Sequence, residues 1–211
     1  MKTPEDIFYN KINKSRKSLK NIEKDYFSPG KRYSIINNVL NKDQKYDLLV
    51  EAGAGQSGTL NYLEKKFKFN KLVGFDLAQF NKENSKKIKY IKANFNYKLP
   101  LKNNTVDCFI AMMVIEHLFD PFHSFAEIRR ILKKNGFAFI NLPLVTSLKN
   151  RLRLLCGNIP ETSVNYDRWF KDKEWDGNHL HYFTLDSINK ICLMNKLKIV
   201  KILPVGKYYF I

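Results

Sequence analysis

From residue 46 the chain alternates between short, nearly unbroken apolar runs and stretches whose apolar residues recur every three or four positions. The first pattern predicts strands buried on both faces, the second amphipathic helices. Strands are expected at 46–52, 71–76, 88–92, 105–112 and in "FAFINLP", with a helix at 58–68. "HSFAEIRRILKKNG" reads as a helix ended by Gly136 in C-cap style. "TLDSINKICLMNKL" reads as another helix, "KIVKILPV" as a strand, and "KYYFI" as a last strand after a short turn at Gly206. Before residue 46 the pattern is looser. Ile7, Phe8, Ile12, Leu19 and Ile22 suggest one or two weakly amphipathic helices, and a turn at Ser28-Pro29-Gly30 leads into a helix burying Ile35, Ile36, Val39 and Leu40. Such alternation predicts an α/β domain, a mainly parallel sheet with helices on both faces and ligands at the carboxyl ends of its strands.

Residues 144–180 break this rhythm. The segment is too long for a plain connection and holds both tryptophans and three of the seven arginines, so it reads as a functional insertion. The expected organisation is an N-terminal helical cap, residues 1–45, and one domain, 46–211, carrying that insertion.

Composition narrows the class. At 211 residues with 44% apolar side chains the chain suits one globular domain. The start, "MKTPEDIFYNKINKSRK", offers no apolar run for a signal peptide, and no stretch of about 18 uncharged apolar residues occurs, so a cytoplasmic protein without a membrane span is expected. Cys108, Cys156 and Cys192 are odd in number and lack a CxxC pair, which argues against a disulfide framework or a zinc site. The net charge of +17 invites a nucleic-acid reading. It rests on 30 Lys against 7 Arg, scattered along the chain and accompanied by 22 Asn, the signature of an AT-rich genome and a solvated lysine surface. No specific nucleic-acid partner is expected, only weak adhesion to polyanions at low salt.

The candidate chemistry begins at "LLVEAGAGQSGTL", a buried strand, a glycine loop and a helix start. Gly53, Gly55 and Gly58 spell GxGxxG, Ser57 is placed to cap the helix, and Asp76 ends the next strand 18 residues after Gly58, where a carboxylate takes the hydroxyls of an adenosine ribose. These features fit a nicotinamide dinucleotide and S-adenosylmethionine alike. Glu51 discriminates between them. Beside a pyrophosphate it would be repelled by about 1 to 4 kcal/mol at a few Å, whereas it attracts the amino and sulfonium cations of S-adenosylmethionine. The alternative is that Glu51 only caps or pairs locally.

"VEAGAGQSG", "VGFD", "IKANFNYKLPLKNNTVDCFIAMMVIEHLFDP" and "EIRRILKKNGFAFINLP" resemble, in order and spacing, the motifs of class I S-adenosylmethionine-dependent methyltransferases, over about residues 45 to 145. "HLHYFTLDSINKICLMNKLKIV" is similar to the tail of their small-molecule branch, the type 11 and type 23 domains. The resemblance implies a Rossmann-like seven-stranded sheet with an antiparallel last strand, and S-adenosyl-L-methionine as cofactor. It implies that Glu51, Gly53, Ala54 and Gly55 form the methionine-end loop, that Asp76 with Leu77 meets the ribose, and that Asn94 and Phe95 form the adenine turn. Met112 and Met113 either pack along the cofactor or belong to the core. The chain departs from the family in two places: its third glycine comes one residue late, and Asn94 stands for the usual acid. An Asn oxygen still accepts a hydrogen bond, without charge assistance.

Methyl transfer to a weakly acidic hydroxyl needs a base; otherwise the enzyme's share is positioning and exclusion of water. His117 of the Glu-His pair and His179 are the catalytic candidates, each with a structural role as its alternative. His181 shares a face with His179 in an extended segment. Asp176 is the nearest further ligand, and without a dense cluster around it no metal is expected. The insertion reads as a substrate lid, with Arg151, Arg153 and Arg168 for an anionic group and Tyr166, Trp169, Phe170 and Trp175 for an apolar or sugar-stacking wall, or else as a small core of its own. "NRLRLLCGNIP" with the later tryptophan and "NHL" is also similar to the methionine-biosynthesis protein W group. Three readings follow. The first is methylation, at oxygen, of a small polar metabolite or surface-glycan precursor. The second is a methyltransferase-like, non-catalytic partner subunit. The third, RNA or DNA methylation, has only the charge behind it, because "AMMVIEH" is not the Asn/Asp-Pro-Pro-aromatic motif that grips base amines.

Overall fold

The computed structural model describes residues 23–55, 58–77, 85–163 and 175–205. The N-terminal helices expected before residue 23, the Ser57 cap, the lid residues Tyr166, Arg168, Trp169 and Phe170, and the "KYYFI" strand lie outside them. A one-turn π-helix, Glu23–Phe27, leads into α1, Ser34–Val39. Then come β1 (Lys45–Ala52), α2 (Thr59–Lys66), β2 (Lys68–Asp76), β3 (Ile88–Lys92) and β4 (Val106–Met112). A 3-10 turn, Ile115–His117, precedes α3 (Pro121–Ile131) and β5 (Leu132–Asn141). The insertion contributes α4 (Leu148–Leu155) and a turn at Trp175–Asn178, and α5 (Leu185–Met194) follows, opened by a reciprocal Thr184–Ser187 capping box.

The five strands form one parallel sheet in the order β3-β2-β1-β4-β5. Successive strand residues turn to opposite faces, and both faces are covered. Leu49, Leu72, Cys108 and Ile110 pack on one side with Ile36 and Leu40 of the N-terminal segment and Leu60 and Leu63 of α2. Val50, Val73, Phe109 and Ala111 pack on the other with α3 and α5 through Phe125, Ile128, Ile131 and Ile191. The described part of the N-terminal segment thus completes a core layer. No described helix is long and apolar enough to cross a membrane.

Two expectations are corrected. α3 ends at Ile131, and Gly136 lies within β5, where the register jumps between Val106 and Cys108. A side chain at Gly136 would stand 2.8 Å from the Val106 carbonyl, so the glycine serves close backbone approach at that irregularity. Second, residues 198–205 are not strand; the sheet of the described residues has five strands. Leu197 and Ile199 lie against the core while Val200 and Ile202 face solvent, so the apolar run packs on one side without pairing. An apolar run does not supply the neighbouring edge that a ladder requires.

Candidate functional site

The strand order reverses between β1 and β4, and their carboxyl ends open the crevice in which such sheets hold ligands. The glycine loop leaves β1 there. Gly53 has φ +67°, and a side chain on it would meet Val114 Cγ2 at 2.6 Å, so the segment after β4 presses directly on the loop. Met113, which begins that segment, is itself left-handed at φ 56°, its amide donating to the Asn141 carbonyl at 3.0 Å. A non-glycine residue in that region carries strain of about 1–3 kcal/mol and recurs at functional sites.

Glu51 is buried, 1% exposed. The Tyr33 hydroxyl donates to its Oε1 at 2.6 Å and the Thr59 hydroxyl donates to Oε2. Neither donor is charged, so these bonds orient the carboxylate without neutralising it. Burial, followed by the charge of Glu51, raises the Tyr33 phenol well above its ordinary pKa, keeping it a donor. Asp76, also buried, accepts from the Gly55 amide at 2.8 Å, and the Ala54 amide donates to the Phe75 carbonyl at 3.0 Å, which ties the loop to the end of β2. Leu77 follows at the rim, half-buried. Asn94 Oδ1 accepts from the Asn96 amide at 3.0 Å and the Asn96 side chain at 2.9 Å, while Phe95 packs tilted on Phe109 in the core. Met112 is buried with the α2 layer.

Beyond β4 the fold brings the adjacent pair Glu116 and His117 together with His179, far along the chain. Glu116 is fully buried, and neither carboxyl oxygen is hydrogen-bonded by another described residue. Burial pushes its carboxyl up to about 8, against its own backbone amide and Arg32, which favour the charged form. The His117 and His179 rings meet edge to face, centroids 4.8 Å apart. Burial holds the His179 imidazole below its ordinary pKa in spite of Asp176. Asp176 accepts from the Thr162 amide and hydroxyl and from the Ser163 amide, an anchor for the insertion.

His181 stands apart from this cluster, its Nε2 3.2 Å from the Phe119 carbonyl. Trp175 is exposed and donates to the Tyr182 hydroxyl at 3.2 Å. Arg151 donates to the Thr146 carbonyl, and Arg153 to the Ile159 carbonyl while pairing with Glu161, so both guanidinium groups brace the insertion. Sequence reasoning missed Arg32, Tyr33, Thr59 and Asn150. The last is buried and bonds both backbone groups of Glu161. None of these four carries a local signal in the sequence, whereas Glu116 is legible there as the partner of His117 in the Glu-His pair.

A family model described as a methyltransferase domain matches residues 50–140, the span of the crevice strands and the Glu-His turn. No curated protein matches the chain. Among solved structures, the YcgJ protein from Bacillus subtilis is 14% identical with a TM-score of 0.58, over 78% of this chain and 67% of that one. Haemonchus contortus phosphoethanolamine N-methyltransferase 2, solved with S-adenosyl-L-methionine, is 17% identical with a TM-score of 0.57, over 82% of this chain and 39% of that one. A chain of the complex between the Haloferax volcanii Trm112 methyltransferase activator and a methyltransferase is 18% identical with a TM-score of 0.50, over 78% and 73%. At such identities the likeness is one of fold.

Proposed function

We propose that this chain, a class I S-adenosylmethionine-dependent methyltransferase by its domain at residues 50–140, methylates an oxygen of a small polar metabolite or a surface-glycan precursor in the cytoplasm. S-adenosyl-L-methionine is its cofactor, and the crevice fits that molecule: a buried carboxylate held by neutral hydroxyls suits a cationic methionine end, and the glycine loop leaves room for close approach. Glu51, Gly53, Ala54 and Gly55 take the methionine end, Asp76 and Leu77 the ribose, Asn94 and Phe95 the adenine, with Met112 and Met113 beneath. When bound, the cofactor supplies an activated methyl group, and the protein contributes alignment and exclusion of water.

One observation carries the choice of oxygen as acceptor: Glu116 and His117, on the segment that presses on the glycine loop, meet His179 of the insertion's return in a largely buried polar cluster. An imidazole held neutral by burial is the form that assists loss of a hydroxyl proton. Trp175, His181 and Arg151, with Tyr166, Arg168 and Trp169, are assigned to the lid over the acceptor. The test is transfer of labelled methyl from S-adenosylmethionine into hydroxyl-bearing metabolites and sugar nucleotides. Binding of S-adenosylhomocysteine with no label in any small molecule would refute the acceptor class. A second reading, a non-catalytic partner subunit, is favoured by Asn94, whose oxygen is already taken up by Asn96.

A further inference from the structure

Glu116 and His117 are neighbours in the chain, and His179 lies 62 residues beyond His117. One ligand atom from each lies within 4.8 Å of the other two. The junction is built rather than incidental. The Leu180 and His181 amides both donate to the Glu116 carbonyl, at 2.8 and 3.3 Å, which clamps the insertion's return against the turn after β4. Asp176 and Asn178, neither a glycine, hold left-handed φ values of 37° and 64° to bring His179 inward.

The proton positions on the two rings follow from their partners. His117 Nδ1 lies 3.0 Å from the Asn178 carbonyl, which only accepts, so Nδ1 carries the hydrogen and Nε2 the lone pair. The Thr162 hydroxyl donates to Asp176 Oδ2 at 2.6 Å and accepts from His179 Nδ1 at 2.6 Å, which again leaves the lone pair on Nε2. A backbone carbonyl behind one ring, and a hydroxyl with a buried carboxylate behind the other, is the arrangement that orients metal-ligating histidines. Glu116, whose carboxyl oxygens meet no donor from any other described residue, supplies the third ligand and otherwise remains a buried carboxyl.

We propose that Glu116, His117 and His179 bind one divalent first-row transition-metal ion. Two imidazoles and one carboxylate suit zinc, manganese, iron or cobalt, whereas magnesium and calcium prefer all-oxygen shells. Ligands of a tetrahedral ion with bonds of about 2.0–2.2 Å stand roughly 3.4 Å apart, so the cluster contracts by about 1 Å on binding. Three protein ligands leave a coordination position for an outside oxygen. Resting on the oxygen-acceptor reading above, the ion takes over the part assigned there to a metal-free His179 imidazole: it takes the acceptor's hydroxyl in the open position and eases loss of its proton, which passes to solvent. The sequence alone paired His179 with His181 and Asp176 and so saw no cluster; the fold substitutes Glu116 and His117 and sets Asp176 behind Thr162.

The test uses the full chain, stripped with chelator and carrying Cys156→Ser to remove the exposed thiol. Zinc is titrated by calorimetry and cobalt by its visible absorption. The expected result is one equivalent bound, with affinity reduced about tenfold or more in His179→Ala and in Glu116→Gln, and roughly tenfold in Thr162→Val. Glu116→Gln is isosteric with a neutral carboxylic acid and keeps the test valid where His179→Ala fails to fold. No zinc binding by the parent chain, or binding undiminished in Glu116→Gln, overturns the proposal. Metal binding without methyl transfer to any hydroxyl would instead retain the site and reject the acceptor reading.

Discussion

Removing the Tyr33 hydroxyl is the most direct probe of how the proposed cofactor crevice is built. Tyr33→Phe keeps the ring, which stacks on Tyr26 at 5.1 Å and 12° and meets Phe27 at 5.1 Å and 44°. It deletes one donor, the hydroxyl 2.6 Å from Glu51 Oε1, at a carboxylate 1% exposed. A hydrogen bond to a charged group contributes about 1.5–3 kcal/mol, and water does not readily replace it at a buried site. Thr59 still holds the other oxygen, so a loss of about 2 kcal/mol is expected. For a chain of this size that corresponds to roughly 4–8 °C in Tm. Tyr46→Phe is the control: its hydroxyl accepts from the Asn41 amide at 3.0 Å at a partly exposed position, a neutral bond whose loss costs about 1 kcal/mol or less. Urea unfolding at neutral pH reads both variants, and calorimetry with S-adenosylhomocysteine reads the crevice, where Tyr33→Phe weakens binding by about tenfold, or 1.4 kcal/mol. Equal stability losses in the two variants would falsify the claim that Glu51 depends on the phenol for its place in the crevice.

Asp76→Ala removes the anchor of the Gly55 amide and the proposed ribose acceptor together; calorimetry should register a loss of affinity of at least about tenfold, and full retention would sink the cofactor assignment. Gly53→Ala incurs left-handed strain of about 1–2 kcal/mol as well as the contact at 2.6 Å with Val114. Adding Val114→Ala should restore only the steric part, so a double variant with parental affinity would show that the backbone conformation is immaterial. At Glu127 burial opposes ionisation, but Arg130 and the Leu99 amide outweigh it and hold the carboxyl below its ordinary pKa. The stability this confers is present above the unfolded carboxylate range and lost as pH falls through the folded value. Arg130→Met should therefore lie furthest below wild type at neutral pH, with the gap in urea midpoint narrowing toward pH 3; a gap independent of pH refutes the linkage.

Periodicity and turn chemistry determined a great deal by themselves. The five described strands, the helices at α2 and α5, and the glycine loop with Glu51 and Asp76 were all legible, because each depends on residues within a few positions of one another. The end of α3 was misread for the same reason. A lysine-rich helix end before glycine looks like a cap, while the contact that decides the role of Gly136 is with Val106, on another strand. Residues 198–205 are apolar and β-branched enough to read as a strand, yet pairing requires an edge that no local pattern encodes. The polar site was decided almost wholly by the tertiary structure. Tyr33 reaches Glu51 across 18 positions, and Glu116 meets His179 only because the insertion folds back on the turn after β4. A buried carboxyl is read in the sequence as one more charge; its lack of a donor from another described residue, and the histidines that stand beside it, exist only once the chain has closed around it.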